Sequence, residues 1–97
     1  MLTFIVTLNW TDQGISQVKD TVQRGEQFKQ LVQQAGGTVH GVFWTQGRYD
    51  VAARVEVADD ETMTAIALRL GMGGNVRTET LRAFTADEMK SILAKLG

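Results

Sequence analysis

The feature that most constrains this chain is the turn from Trp44 to Asp50, which joins two apolar runs through Gly47. In the run from Tyr49 to Val57 every second residue is apolar, and in the run from Thr38 to Thr45 both alternating sets contain apolar residues. Such alternation is typical of β-strands, and a short glycine-bearing turn between two strands predicts an antiparallel hairpin. The rest of the fold must accommodate this hairpin.

Before the hairpin, the periodicity predicts one strand and one helix. The strand runs from Leu2 to Trp10, and the helix runs from about Ser16 to Ala35 and ends at Gly36-Gly37. Gly25 lies on the apolar stripe of this helix, which suggests a close approach to the sheet, whereas Arg24 lies on its polar side. The other members of the stripe are Val18, Val22, Phe28, Leu31, Val32 and Ala35.

After the hairpin, the chain contains two more helical patterns and one more strand. Acidic residues at Asp59-Asp60 suit the start of a helix, and a strand follows from Val76 to Phe84. Thr85 and Glu88 have the spacing of a capping box, which predicts the start of a last helix. The inner face of the first of these helices comprises Met63, Ile66, Ala67 and Leu70, and the apolar face of the last comprises Met89, Ile92, Leu93 and Leu96.

The order strand, helix, strand, strand, helix, strand predicts an α+β fold of the ferredoxin-like βαββαβ type, with a four-stranded antiparallel sheet plus a C-terminal helix. We expect one domain over residues 1–97. Two helices cover one sheet face, and the other face is expected to display Ile5, Val42, Trp44 and Leu81, or their equivalents on the opposite parity. An uncovered apolar face usually marks an interface, so a homodimer or higher homo-oligomer is predicted.

Charged residues alternate along the strands that flank the uncovered face. Cross-strand ion pairs are the simplest interpretation, and on a covered face the same charges would set the register of an interface. These residues are Arg54, Glu56, Arg77, Glu79 and Arg82.

Composition excludes several functional classes. Ten Lys and Arg residues stand against eleven Asp and Glu, without a basic stripe, so no nucleic-acid partner is predicted. The chain has no cysteine and therefore neither a thiol nucleophile nor a thiolate metal site. The run from Leu2 to Leu8 is short and interrupted by threonines, which predicts a strand rather than a signal peptide or membrane span. We expect a cytoplasmic protein without a membrane partner.

Aromatic residues with one carboxylate form the first candidate site. Trp44, Tyr49 and Asp50 lie in or beside the hairpin turn, and Trp10 ends the first strand. Aromatic walls with a carboxylate can bind a flat organic ligand, and Asp50 is a weak candidate for acid-base catalysis. The alternative, which turn chemistry favours, is that the aromatics fill the end of the sheet and Asp50 accepts hydrogen bonds from the turn.

Two further candidates carry weaker signals. His40 is the only histidine, so it lacks the partners of a triad or a zinc site, and a partly exposed strand residue is the simpler interpretation. The glycine-rich segment from Gly71 to Asn75, followed by Arg77, can present amides and a guanidinium to an anion. Because a strand follows it, a tight connection is the simpler interpretation. We predict no metal site and no cofactor.

Several segments together resemble the GYD-domain family. They are Asn9-Trp10-Thr11, the turn from Trp44 to Asp50, Gly74 to Thr78, and Leu81 to Thr85, and they match in order and spacing over nearly the whole chain. Arg48 separates Gly47 from Tyr49, so the namesake Gly-Tyr-Asp triplet is relaxed here. The resemblance implies a small bacterial or archaeal cytoplasmic protein with a ferredoxin-like, dimeric α+β barrel type of fold. It implies no particular reaction and supplies no catalytic residues.

Three functional hypotheses follow. The leading one is a homo-oligomeric binding or regulatory module that holds a small hydrophobic or aromatic ligand near Trp10, Trp44, Tyr49, Asp50 and Arg77. The alternative is a small cofactor-free enzyme of the oxygenase or isomerase type that acts on a hydrophobic cyclic compound, with Asp50 or His40 transferring a proton; it depends on fold analogy. A purely structural assembly unit without a pocket is the third.

Overall fold

The structure, a computed structural model of all 97 residues, is a four-stranded antiparallel sheet with its two longest helices on one face. The strands lie side by side in the order β2-β3-β1-β4. This arrangement confirms the predicted ferredoxin-like α+β fold with an appended C-terminal helix. The elements are β1 (Leu2–Trp10), α1 (Asp12–Ser16), a 3-10 turn (Val18–Asp20), α2 (Thr21–Gln34), β2 (Thr38–Trp44), β3 (Val51–Val57), α3 (Asp60–Met72), β4 (Val76–Ala83) and α4 (Ala86–Ala94).

The hydrophobic core lies between the sheet and the two helices α2 and α3. Alternate residues of β1 and β3 point into it, as the period of two predicts, and Val6 pairs with Ala53 across the two strands. The buried core residues are Phe4, Val6, Leu8, Phe28, Val32, Val51, Ala53, Val55, Val57, Met63 and Ile66. None of the helices has the length and apolar character needed to cross a membrane.

The first helical region is divided, so the prediction of one continuous helix over 16–35 is wrong. The Thr11 hydroxyl accepts a hydrogen bond of 3.1 Å from the Gly14 N–H and starts the short α1. At Gln17 the backbone leaves helical geometry, with φ −116° and ψ 27°, and α2 begins only at Thr21. Val22, placed on the buried stripe by periodicity, is 63 % exposed in the first turn of α2.

A β-bulge in β2 changes which side chains face the helices. Val39 pairs with Val55, but Gly41 pairs with Arg54, so His40 is an extra residue in the ladder. Because one extra residue reverses the parity, Val42 and Trp44 lie on the helix side, opposite Ala53 and Val51. The prediction that they share the uncovered face with Ile5 and Leu81 is therefore wrong, and Phe43 occupies that face instead.

We call the uncovered side of the sheet the open face; its large apolar residues are Ile5, Phe43 and Leu81. Phe43 is 66 % exposed. The predicted ion pairs between strands do not form: the Glu56 carboxylate contacts His40, and Glu79 accepts a hydrogen bond of 3.2 Å from the Tyr49 hydroxyl. Arg82 lies on the helix side of β4 and is 3.7 Å from Glu88.

Two helix starts are fixed by carboxylates. Asp59 accepts a 2.8 Å hydrogen bond from the Thr62 N–H at the start of α3, and hydrogen bonding by the Thr62 side chain and backbone holds the pKa of Asp59 below its usual value. Thr85 and Glu88 form the predicted capping box. The backbone hydrogen bond from Thr85 is the main cause that lowers the pKa of Glu88.

The last helix, α4, is not part of the packed body. It has no extensive packing against any other helix or strand, and the molecule is elongated, 52 × 30 × 18 Å. Its predicted apolar face is consequently exposed, with Leu96 at 79 %.

Candidate functional site

A cavity of about 250 Å³ lies between the helix side of the sheet and the helices α1, α2 and α3. It is larger than the ~150 Å³ cavity that can hold benzene. Its apolar lining comprises Leu8, Trp10, Phe28, Leu31, Val42, Trp44, Val51, Ala53, Leu70 and Val76. The cavity is the best-formed concave site of the molecule, so it is the candidate functional site.

Helix α2 forms one wall of this cavity. Thr21, Gly25 and Phe28 are spaced four and three residues apart, which places them on one helical face, and all line the cavity. A Cβ on Gly25 would lie 3.4 Å from Cη2 of Trp44 and 4.0 Å from Cγ1 of Val42. The predicted close approach of helix and sheet at Gly25 is therefore confirmed.

The two tryptophans come from the ends of β1 and β2. The Trp44 indole N–H donates a 2.9 Å hydrogen bond to Oγ1 of Thr21, which joins β2 to the start of α2. Trp10 is half-buried, and its backbone N–H donates a 2.9 Å hydrogen bond to Oδ2 of Asp50. Thus Asp50 holds the end of β1 against the start of β3.

The glycine-rich segment after α3 closes the cavity on another side. Gln13 donates hydrogen bonds to the Gly73 carbonyl at 3.2 Å and to Oδ1 of Asn75 at 3.1 Å. A Cβ on Gly14 would lie only 1.9 Å from the Asn75 carbonyl oxygen, so α1 and this segment are in direct contact. The segment connects α3 to β4 and packs on α1, as its alternative interpretation predicts.

The charges in the cavity lining are two arginines and no carboxylate. Arg24 of α2 and Arg69 of α3 line it together with the polar residues Thr21, Gln17, Gln27 and Asn75. Nε of Arg24 is buried without a hydrogen-bond partner, while an Nη of the same group donates to Oε1 of Gln17. No other buried side-chain nitrogen or oxygen in the protein is unpaired in this way.

Of the residues that the sequence proposes for a ligand site, only Trp10 and Trp44 line the cavity. Asp50 is hydrogen-bonded to the Trp10 backbone. Tyr49 is bonded to Glu79, and Arg77 is an exposed residue of the open face. The candidates are therefore divided between two sides of the sheet.

His40, the other weak catalytic candidate, lies at the bulge in β2, where it is exposed and contacts Glu56. It does not line the cavity.

Sequence reasoning missed Arg24, Arg69 and Phe28 as site residues. Arg24 is next to Gly25, the one residue of the apolar stripe too small to fill space. A long side chain beside a glycine that faces a sheet is the signal that sequence inspection offered.

The fold is shared with a solved structure. The crystal structure of TTHA0845 from Thermus thermophilus covers 89 % of this chain and 96 % of its own, with a TM-score of 0.56 and 26 % sequence identity. No curated protein matches the sequence. The family model described as GYD domain matches residues 4–93, nearly the whole chain. These findings confirm the resemblance seen in the sequence, and the protein belongs to the GYD-domain family.

Proposed function

We propose that this protein is a self-associating module that binds a small, largely apolar organic ligand in the cavity between α2 and the sheet. The observation that carries the proposal is the cavity itself, about 250 Å³ with the rings of Trp10, Phe28 and Trp44 in its lining. Ligand sites are typically concave and apolar, with a few polar groups that fix orientation. The cavity also favours a binding module over an assembly unit without a pocket.

The glycine at position 25 supports this proposal. A larger residue there would occupy the space beside Trp44 and Val42, at the cost of the cavity. Glycine inside a helix is also less favourable than alanine by about 1 kcal/mol. A function for the empty space accounts for a residue that helix stability alone disfavours.

Self-association is supported by the surface that a single chain leaves exposed. A monomeric domain of 10.7 kDa is expected to expose about 5,500 Å². This chain exposes 6525 Å². The excess of about 1,000 Å² is similar to the ~800 Å² that each partner buries in a standard interface. We propose that a second copy covers the open face.

The apolar part of the open face continues into α4. Phe84, Thr85 and Ala86 border a surface depression together with Ile5 and Arg54, so the start of α4 adjoins the open face. The exposed apolar residues of α4 are Met89, Leu93 and Leu96. One partner surface can therefore cover both.

The charges of the open face are consistent with a second copy as the partner. Arg54 and Arg77 have no acidic partner within 4.0 Å in the chain, whereas Glu79 contacts only the Tyr49 hydroxyl. In a two-fold interface the same surface meets itself, so basic groups of one copy can pair with acidic groups of the other.

We propose binding rather than catalysis because the cavity lining contains neither a carboxylate nor an imidazole. The alternative enzyme requires a proton-transfer group, and the two candidates, Asp50 and His40, lie outside the lining.

Thermal unfolding with a panel of one-ring and two-ring aromatic compounds tests the binding proposal. A compound present at a hundred times its dissociation constant adds about 2.7 kcal/mol of stability, equivalent to a rise in Tm of about 10 °C or more. Gly25→Leu, which fills the cavity beside Trp44, should abolish the rise. A rise that Gly25→Leu leaves intact would place the ligand elsewhere, and a panel without any effect would contradict the proposal.

Light scattering over a dilution series tests self-association. We expect the protein to be at least dimeric, Leu81→Glu on the open face to shift it toward monomer, and Val22→Glu on the exposed side of α2 to leave it unchanged. Both variants exchange an exposed aliphatic side chain for a carboxylate, so they are matched. A monomer at all concentrations would refute this part of the proposal.

A further inference from the structure

We propose that the ligand of the cavity is an organic anion, an aromatic monocarboxylate of one or two rings, whose acid group is bound by Arg24. This inference rests on the proposed function, since it requires the cavity to be the ligand site. It adds the chemical class of the ligand and assigns a binding role to an arginine that the sequence places on the polar side of its helix.

The first argument is the unpaired nitrogen of Arg24. Buried nitrogen donors are almost always hydrogen-bonded, and Nε of Arg24 is the exception in this protein. Arg24 lines the cavity, so an acceptor located there can reach the group. A guanidinium presents Nε and an Nη side by side, which matches the two oxygens of a carboxylate. The ligand therefore supplies the acceptor that the protein does not.

The second argument is the sign of the charge around the cavity. Arg24 and Arg69 are the charged residues of its lining, although the whole chain has a formal charge of −1. The attraction for an anion is thus local to this site rather than a property of the whole surface. Arg69 is exposed, so its charge is screened by solvent and contributes less than that of Arg24.

The third argument is the relation of the charge to the aromatic wall. Arg24 and Gly25 are consecutive residues of α2, and Gly25 faces the Trp44 ring. A ligand ring that stacks in the space left by Gly25 consequently has its acid group close to Arg24 only if the linker is short. A carboxylate attached to the ring directly, or through one or two carbons, fits this arrangement and the volume of about 250 Å³.

The test compares 2-naphthoate with 2-naphthamide, which have the same ring and nearly the same shape but differ in charge. Titrations are followed by calorimetry and by ¹H–¹⁵N correlation spectra, which also show which residues respond. We expect naphthoate to bind about tenfold more tightly or better. Arg24→Gln should remove this preference, whereas Lys19→Gln, an equal change of charge outside the cavity lining, should preserve it. Arg24→Lys, which keeps the charge without the fork, should retain part of it.

Each other outcome has a definite meaning. Equal binding of both compounds, with responses at Trp44 and Phe28, would show that the cavity binds ligands but that the anionic class is wrong. A preference for naphthoate that survives unchanged in a folded Arg24→Gln protein would overturn the role of Arg24. If neither compound binds at about 1 mM, both this inference and the proposed binding function fail. The spectra themselves establish that each variant is folded.

Discussion

The indole N–H of Trp44 donates a 2.9 Å hydrogen bond to the hydroxyl of Thr21, and the same indole ring lies over Gly25 one helical turn later. The end of β2 is therefore attached to α2 at one point and separated from it by a missing side chain at the next. This combination keeps the aromatic wall in position without filling the cavity beside it.

Removing the Trp44 hydrogen bond should cost a modest amount of stability. We expect Trp44→Phe and Thr21→Val each to lower the free energy of unfolding, with about 0.5–1.5 kcal/mol of the loss due to the hydrogen bond. Because both variants delete the same bond, the double variant should lose less than the two single losses added together. Urea unfolding of the four proteins measures this coupling. Strictly additive losses would contradict the bond.

A methyl group on Gly14 should be strongly destabilising, whereas one on Gly71 should not. The Cβ of an alanine at position 14 would lie 1.9 Å from the Asn75 carbonyl oxygen, a backbone atom that cannot move independently of its chain. We expect Gly14→Ala to cost about 1–3 kcal/mol or more through this overlap. Gly71, in α3, has nothing within 4 Å of its Cβ position, so Gly71→Ala should be neutral or stabilising by up to about 1 kcal/mol. Equal effects in thermal unfolding would contradict the close packing of α1 on Asn75.

The fold was predictable from the sequence because its signals are local. The alternation from Leu2 to Trp10 and the capping box of Thr85 with Glu88 each depend on residues that are neighbours in the chain. The bulge at His40 has no such signal, since it arises from the pairing of β2 with β3. Once it is present, the face that Trp44 occupies is reversed, and so is its role.

The candidate site was predictable only in part for the same reason. Trp10 and Trp44 were identified by residue type, but the cavity that they share depends on the bulge and on Gly25. Arg24 was not identified, because its charge places it on the polar side of an ideal helix. In the structure, however, Arg24 lines the cavity and its Nε is removed from solvent.

Acid should weaken the start of α3. The pKa of Asp59 is lower in the folded protein than its ordinary value of 3.8, owing to hydrogen bonds from Thr62. A lowered folded-state pKa stabilises the fold above the unfolded pKa, and this contribution is lost as pH falls from about 4 through the folded pKa. The difference in unfolding free energy between wild type and Asp59→Asn should therefore shrink toward low pH.

The matched control for this pH dependence is Asp60→Asn, because the Asp60 carboxylate makes no hydrogen bond in the structure. Denaturant unfolding at a series of pH values, carried out on both variants, gives the comparison. A difference between wild type and Asp59→Asn that grows as the pH falls would have the wrong sign for an N-cap carboxylate.

Variants of Asp50 should separate a structural role from a catalytic one. Its Oδ2 accepts the Trp10 backbone N–H, so Asp50→Ala leaves a partly buried donor unpaired and should cost about 1–3 kcal/mol. Asp50→Asn keeps an acceptor oxygen at this position and should retain most of the stability, although it cannot act as a base at neutral pH. We also expect Asp50→Asn to bind aromatic ligands as the wild type does, because Asp50 does not line the cavity. If Asp50→Asn were instead fully stable and had lost ligand binding, the carboxylate would have a direct role in the site, and proton transfer by Asp50 would again be a serious hypothesis.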